Sequence, residues 1–499
     1  MTIDAARSVT KNAAVMMGSQ VVTWISTFIL MLFLPRYLGS EEYGRLYLAI
    51  SVGMIIQIII EFGGNYYIPK EVSRDRESAP SLVMNFILIR ILLWVVSILL
   101  LAGFANFASY PREVKGLLFI IGTAKLWEGI AGVVRNCLQG FEKMEYTSAA
   151  AIVERTFLTA VGVVALCLGA GTAVIAAIMA VSTLLNFLTV AKFFRRFVPR
   201  LPRFDPAAAL RIMRSCLPYF LYSVFAVVYY RVDAVMLSLM APEPEVGWYG
   251  AAYRFFDVLM FLPSIITTAL FPVLSRLWIQ DEAVLGRTSN RCLDFVILAA
   301  IPVGVCTFAY AEQIIQFFFG IKEYGPSVII LRIFSFGILM LYIDMILGTM
   351  LFASDRQRQW TVVAFIALVL NPLLNYVLIP IAESRTGNGG IGAALATLLT
   401  EVVVMIAALR IMPAHLLGTS WIYSTARGAG AGVLMVIAIV LGNRASLPWV
   451  PAGIIAMGLY IAALLAMRAF RPAELAFFQV FFSSRNLKTI FPTQREMSA

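Results

Sequence analysis

Six basic side chains lie inside stretches that are otherwise apolar: Arg90, Lys125, Arg155, Arg231, Arg254 and Arg332. Acidic residues at similar depth are Glu61, Glu128, Glu154, Asp233, Asp257, Asp344 and Glu401. A charge facing lipid at the centre of a membrane helix costs roughly 2.5–3.5 kcal/mol, so a dozen would cost on the order of 30 kcal/mol. Most of these groups must therefore face protein or a water-filled cavity. Two chemistries fit them. Tyr229 and Tyr230 adjoin Arg231, and Tyr253 adjoins Arg254, so guanidinium groups stand beside aromatic faces and hydroxyls. That combination suits a sugar bearing an anionic group. The carboxylates Asp233, Asp257 and Asp344 are candidates to bind a coupling proton or cation. The same residues also read as structural ion pairs, because Arg254 and Asp257, Lys125 and Glu128, and Arg291 and Asp294 each stand one helical turn apart. Both readings stay open on the residues alone.

Other chemistries lack their residues. The sequence holds no GxxxxGK[ST] phosphate loop and no GxSxG or HExxH pattern. His415 is the only histidine, and Cys137, Cys167, Cys216, Cys292 and Cys306 form no CxxC pair. No catalytic residue, metal centre or cofactor is expected, and the cysteines read as small hydrophobes.

The elements that carry these residues follow from composition. The 499 residues are 61% hydrophobic and 13% charged, and their mean hydropathy is +0.86. Soluble domains carry about 25% charged residues. Apolar runs of about 18–25 residues, each enough to span roughly 30 Å of hydrocarbon, recur along the chain. They predict fourteen membrane-spanning helices: 12–35, 43–67, 82–107, 116–138, 147–168, 172–193, 213–240, 247–274, 291–311, 326–352, 360–380, 390–412, 427–442 and 449–468. Backbone groups in hydrocarbon must be satisfied within their own segment, and no period-2 alternation points to a barrel. After Arg471, AELAFFQVFF is too short to span and reads as an interfacial helix in a cytoplasmic tail, 471–499.

The net charge of +11 sits mostly in short loops. With the N-terminus placed in the cytoplasm, alternate loops carry 26 basic residues inside and 7 outside. That is the asymmetry of the positive-inside rule. Both termini are therefore expected in the cytoplasm, and the protein in the cytoplasmic (inner) membrane. The basic stretch 192–214 reads as a linker touching anionic headgroups, so no nucleic acid partner is expected.

The chain also repeats itself. LQGFEKMEY (138–146) has a counterpart in LFASDRQRQW (351–360), with Leu138, Glu142 and Lys143 matching Leu351, Asp355 and Arg356 at one offset. Tyr43-Gly44 pairs with Val246-Gly247, and Pro69 with Pro272. Ile175-Ala176-Ala177 resembles Gly392-Ala393-Ala394. The matches keep one order, which predicts two six-helix bundles (1–200 and 201–415), two additional helices (416–470) and a pseudo-twofold axis along the membrane normal.

Several segments carry a family resemblance: SVTKNAAVMMGSQVV, RYLGSEEYGRLYLAIS, LQGFEK, RVDAVMLSLMAPEPEVGWYGAAYR and NGGIGAALATLLTE. Over about residues 8–470 the chain resembles the Wzx-type flippases, the polysaccharide-export branch of the multidrug/oligosaccharidyl-lipid/polysaccharide exporter superfamily. The resemblance implies a V-shaped, all-α, MATE-like pair of bundles around a central cavity. It implies translocation of undecaprenyl-pyrophosphate-linked oligosaccharide by alternating access, for surface polysaccharides such as O-antigen and lipopolysaccharide. An H⁺ or Na⁺ gradient would drive it, among membrane lipids and other polysaccharide-assembly proteins. Arg231, Asp233 and Arg254 lie in or beside the RVDAVML motif, so the resemblance assigns them to the cavity. Arg90, Lys125 and Arg332 join them as substrate-binding candidates on depth, Tyr230 and Tyr253 as neighbours of the arginines, and Asp257 and Asp344 join Asp233 for the ion. Many relatives have twelve helices; this chain departs from them.

A lipid II flippase shares that fold, but its arginines in the first span are missing, since 13–34 carries no charge. A multidrug or cation antiporter should have an acid-dominated cavity. A glycan polymerase or ligase usually needs a large catalytic outer loop, and the outer loops here are short. The expected topology is checked with single cysteines in a background lacking the five native ones. A membrane-impermeant maleimide added to intact cells should label Arg444→Cys and spare Arg76→Cys; the reverse would invert the topology.

Overall fold

The computed structural model describes residues 3–198, 202–413, 416–467 and 469. His415 and the expected interfacial helix lie outside these. Helices fill nearly all of the described chain: α1 (Ile3–Glu61), α2 (Gly64–Arg74), α3 (Ala79–Phe107), α4 (Arg112–Gly140), α5 (Met144–Cys167) and α6 (Thr172–Phe194). They continue with α7 (Pro206–Met240), α8 (Glu243–Leu259), α9 (Phe261–Gln280), α10 (Glu282–Ala309), α11 (Ala311–Phe318) and α12 (Ile321–Tyr324). The last are α13 (Ser327–Ala353), α14 (Gln357–Thr386), α15 (Gly389–Ile411), α16 (Ser420–Arg444) and α17 (Trp449–Ala466). No strand occurs among the described residues.

Twelve of these stretches are long and apolar enough to cross a membrane, or thirteen with a pair bent by 44° within α7, Pro206–Phe225 and Val227–Met240. The longest of the twelve is the 57-residue stretch Gly18–Arg74, about 86 Å at 1.5 Å per residue against roughly 30 Å of hydrocarbon. It contains a break at Gly39, with φ 79° and ψ 168°. An L side chain rarely adopts that φ, and a Cβ there would also stand 2.6 Å from Glu323 Oε1. The same oxygen accepts from the Ser40 N–H at 2.5 Å. Where the sequence reading placed one span at 247–274, the structure has α8 and α9, parted at Met260.

Local sequence sets the helix ends. Asp205 Oδ1 accepts from Ala207 N at 2.9 Å and Ala208 N at 3.1 Å, with Pro206 in the first turn. Asp281 caps α10 through Ala283 N and Val284 N. Such caps satisfy donors that a helix start leaves open. The turns matched by sequence share one geometry. Glu142 and Asp355 are both left-handed, at φ 60° and 57°. Lys143 N–H reaches Leu138 O, and Arg356 N–H reaches Leu351 O, both at 2.9 Å. This is the Schellman closure of a helix end.

The chain forms two compact units. One holds Met1–Val258, Ile314–Phe334 and Thr361–Val404; the other holds Leu259–Gln313, Ser335–Trp360 and Met405–Ala499. In the first unit α4 packs on α6, α1 on α5, and α1 on α7; in the second, α16 packs on α17 and α10. Within the first unit the other matched pair of segments meets directly. A Cβ on Gly44 would come 2.8 Å from Gly247 N, and one on Gly247 would collide with Ser40 O. One on Gly250 would stand 2.6 Å from the Tyr47 ring. Small residues here let two backbones touch. The cysteines are all free thiols.

Gly247→Leu should destabilise the purified protein by about 1–3 kcal/mol, since overpacking forces the backbones apart. Gly103→Ala is the control, because nothing lies within 4 Å of the added carbon. Thermal unfolding in detergent should fall for the first and hold or rise slightly for the second.

Candidate functional site

The segment of α7 after its bend carries Tyr229, Tyr230, Arg231 and Asp233 within five residues. At about 100° per residue, positions 231 and 233 point to nearly opposite sides of the helix. Asp233 is 2% exposed. Its carboxylate accepts from Tyr249 Oη on α8 at 2.8 Å, from Thr397 Oγ1 on α15 at 2.7 Å and from Asn375 Nδ2 on α14 at 2.6 Å. Asn375 Nδ2 also reaches Asn371 Oδ1 at 2.8 Å. Asn371 and Asn375 are wholly buried. Asn375 Oδ1 lacks a hydrogen-bond partner among the described residues, while the Asn371 side chain approaches Asp233 as well. A fully buried polar atom without a partner is unusual and asks for an explanation.

Arg231 faces the other way. Its guanidinium is 3.3 Å from Asp257 Oδ2 on α8 and lies over the Tyr253 ring, 5.2 Å from the centroid. Tyr253 Oη donates to Tyr230 O at 3.1 Å. Asp257 therefore pairs across helices with Arg231, where the sequence reading placed it with Arg254 one turn away. Arg254 is half-buried beside Tyr253. The structure thus brings Tyr230, Arg231, Tyr253 and Asp257 together on α7 and α8, and it sets Asp233 among α8, α14 and α15.

The other candidates lie elsewhere. Arg90 on α3 is 0% exposed. It donates to Gly129 O at 2.5 Å and to Asn65 Oδ1 at 3.5 Å. A Cβ on Gly132 or Gly64 would stand 2.7 or 2.9 Å from its guanidinium nitrogens, so small residues make the room it occupies. Asn65 also receives Asn136 Nδ2 at 2.7 Å and donates to Glu61 at 2.5 Å. Lys125 pairs with Glu128 at 2.7 Å, as the one-turn spacing anticipates. Arg332 is half-buried and Asp344 is 4% exposed; both are on α13 but in different compact units.

Sequence reasoning missed several participants. Arg135 was sorted with the inside loops, yet it sits in α4 and donates to Asn186 Oδ1 at 2.7 Å, whose Nδ2 reaches Glu154 at 2.9 Å. Tyr249, Asn371, Asn375 and Thr397 carry no charge and escaped a search for charges. Two asparagines four apart in the apolar run LVLNPLLNYVL were the available signal.

A cavity of about 200 Å³ in the first unit is lined by Arg45, Glu243, Tyr110 and Ser238, among others. Arg45 is bonded to Glu243 and stands 2.6 Å from Glu41 and 3.3 Å from Glu113. Tyr110 Oη and Ser238 Oγ are 2.6 Å apart. Burial raises the Tyr110 hydroxyl above its ordinary value, and the Ser238 bond works against that rise.

Residues 9–278, more than half of the chain, match the family described as polysaccharide biosynthesis protein. The chain belongs to this family. Residues 218–377 also match the MatE family. The probable flippase AglR of Haloferax volcanii is 28% identical over 187 residues, 37% of this chain and 38% of its own length. The capsular polysaccharide biosynthesis protein CapF of Staphylococcus aureus is 27% identical over 145 residues, 28% of this chain and 34% of its own. The matched stretch thus spans little more than a third of each of these relatives. Among solved structures, lipid II flippase MurJ in an inward closed conformation shares the fold with a TM-score of 0.72 at 14% identity, covering 96% of this chain and 99% of MurJ. An inward-facing multidrug-resistance MATE transporter gives 0.64 at 15% identity, over 78% of this chain and 94% of its own. At these identities the likeness is one of fold.

For this member of the polysaccharide biosynthesis family, removing one partner of the Arg231–Asp257 pair strands a charge at membrane depth. Arg231→Gln or Asp257→Asn alone should cost about 1–3 kcal/mol, between the values for exposed and fully buried pairs. The double variant should recover part of that loss in thermal unfolding. A loss in the double variant equal to the sum of the two single losses would mean the pair carries no coupling energy.

Proposed function

We propose that this protein is a flippase that moves a lipid-linked oligosaccharide across the cytoplasmic membrane by ion-coupled alternating access. The observation that carries the reading is Arg231. Its side chain is only 14% exposed, and its guanidinium is held on one side by Asp257 and lies on the Tyr253 ring. A fixed planar cation with free edges is suited to a pyrophosphate or an acidic sugar, and the neighbouring tyrosines offer faces on which a sugar ring stacks. In this reading Arg231, Arg254, Tyr230 and Tyr253 contact substrate. Lys125 and Arg332 add positive charge along its route. Arg90, bonded to a main-chain carbonyl, positions the helices around it. The relatives named probable flippase AglR and capsular polysaccharide biosynthesis protein CapF, and the MurJ-like fold, support the same reading.

Asp233 is the coupling residue. Its carboxylate, the Thr397 hydroxyl and the side-chain oxygens of Asn371 and Asn375 make an oxygen-rich, buried set suited to a proton or a small monovalent cation. Asp257 is taken up by Arg231. The close crossing of the segments around Gly44 and Gly247, with Arg45 bonded to Glu243, would close the outer end in this state. Fourteen crossings in two six-helix bundles plus two helices, with both termini cytoplasmic, complete the proposal.

The test uses the full-length protein in proteoliposomes with a fluorescent undecaprenyl-pyrophosphate oligosaccharide and a leaflet-accessibility readout. Arg231→Ala combined with Arg254→Ala should lower the initial rate at least tenfold, about 1.4 kcal/mol or more in the barrier. An unchanged rate would remove the anion site. Movement of lipid II in place of the oligosaccharide would transfer the reading to a peptidoglycan precursor.

A further inference from the structure

α15 carries a second carboxylate in its apolar stretch. Glu401 is 2% exposed and accepts a 2.6 Å hydrogen bond from Tyr229 Oη on α7. Tyr229, 6% exposed, stands four residues before Asp233, and Glu401 stands four residues after Thr397. Four residues are about one turn, or about 6 Å. The Thr397–Asp233 and Tyr229–Glu401 bonds are therefore successive rungs of one α7–α15 interface. Beside the Asp233 rung, the unpartnered Asn375 Oδ1 lies in a side chain with no exposure.

An acid retained at this depth is expensive and marks a place where an ion or proton is handled. Ionisable groups within a turn or so of these rungs on α7 are Tyr229, Tyr230, Arg231 and Asp233, and α8 brings Tyr249, Tyr253, Arg254 and Asp257. α14 adds the amides Asn371 and Asn375 with Tyr376 beside them, and α15 adds the hydroxyls Thr397 and Thr400 beside Glu401 itself. Arg231, the cation nearest in sequence to both rungs, is engaged by Asp257. Two carboxylates one turn apart in a poorly solvated interface repel when both are ionised. A proton on one eases ionisation of the other.

We propose that Glu401, with Tyr229 as its donor, is a second, proton-binding station one turn from Asp233, so that coupling runs through two acids in series. This rests on the reading of Asp233 as the coupling residue. The step is a single proton transfer. A proton from water forms an O–H bond on the Glu401 carboxylate, while the Tyr229 hydroxyl keeps donating to the other oxygen. Occupation of Asp233 by a cation then drives that proton back to water, and nothing is oxidised or reduced.

The experiment is infrared difference spectroscopy of the full-length protein through pH steps, read at the protonated-carboxyl C=O band. In Asp233→Asn a titrating carboxyl band should remain, and in Asp233→Asn/Glu401→Gln that band should be gone. Tyr229→Phe, which leaves both acids in place, should move the band's midpoint upward by about one pH unit, a tenfold gain in proton affinity, because the ionised form loses a donor. The same band in the double variant, no titrating band in Asp233→Asn, or an unmoved midpoint in Tyr229→Phe would each overturn the proposal. Transport separates it from the Asp233 reading. If Asp233→Asn keeps full ion dependence while Glu401 titrates, the Asp233 assignment fails and the series fails with it, whereas loss of ion dependence with no Glu401 band overturns the second station alone.

Discussion

A carboxylate that is 2% exposed in a membrane-crossing helix has to be met by donors from its neighbours. Asp233 is met by a tyrosine from α8, an asparagine from α14 and a threonine from α15. Apolar contacts between membrane helices are weakly directional, because lipid tails compete for the same surface. Three hydrogen bonds at 2.6–2.8 Å are not. They fix the rotation of four helices about their own axes. Once α7 is set by Asp233, Arg231 is carried to the opposite side of the same helix. It arrives where Asp257 and the Tyr253 ring receive it. The surroundings of Asp233 and of Arg231 are thus consequences of one constraint.

The same logic governs the first helices. Arg90 brings a guanidinium into a space with no exposure, and its partners are a main-chain carbonyl and an amide side chain. Glycines at 64, 129 and 132 clear that space. Two of its nitrogens bond to neighbouring helices while its Nε has no partner among the described residues, so Arg90 ties helices together inside the protein. Arg231 has a carboxylate and an aromatic face, and it keeps part of its surface open. Two arginines equal in the sequence differ in role because their surroundings differ.

Much of this was legible in the sequence, for identifiable reasons. Apolar runs report helices because hydrocarbon leaves the backbone no other solution. The repeat at 138–143 and 351–356 was legible as spacing, and its backbone cause is a left-handed residue, Glu142 or Asp355, closing a helix end. Charged residues at depth announced themselves, and Asp233 was found that way. What stayed hidden depends on tertiary contact. Asn371, Asn375, Thr397 and Tyr249 look ordinary in an apolar helix until a carboxylate is placed among them. Asp257 was read against Arg254 because one-turn spacing is all that a single helix reveals; α7 supplied the real partner. Arg135 counted as a loop charge because it lies near a helix end, and only the position of Asn186 draws it inward.

α8 supplies the physical link between the two chemistries. Tyr249 and Tyr253 stand one turn apart with ring centroids 5.5 Å from each other. Tyr249 donates to Asp233, while Tyr253 lies under Arg231 and donates to Tyr230 O. Phe334 packs edge-on against both rings, at 5.7 and 5.5 Å. In the proposed reading, a cation that draws the Asp233 oxygens toward itself would weaken the Tyr249 bond, and the tyrosine pair would then have reason to shift against α7. The surface on which Arg231 rests would shift with it. Coupling through packed side chains needs two discrete arrangements biased by both ligands. A pair of rigid rings, each bonded to a different site on the same neighbouring helix, is a short element that meets that description.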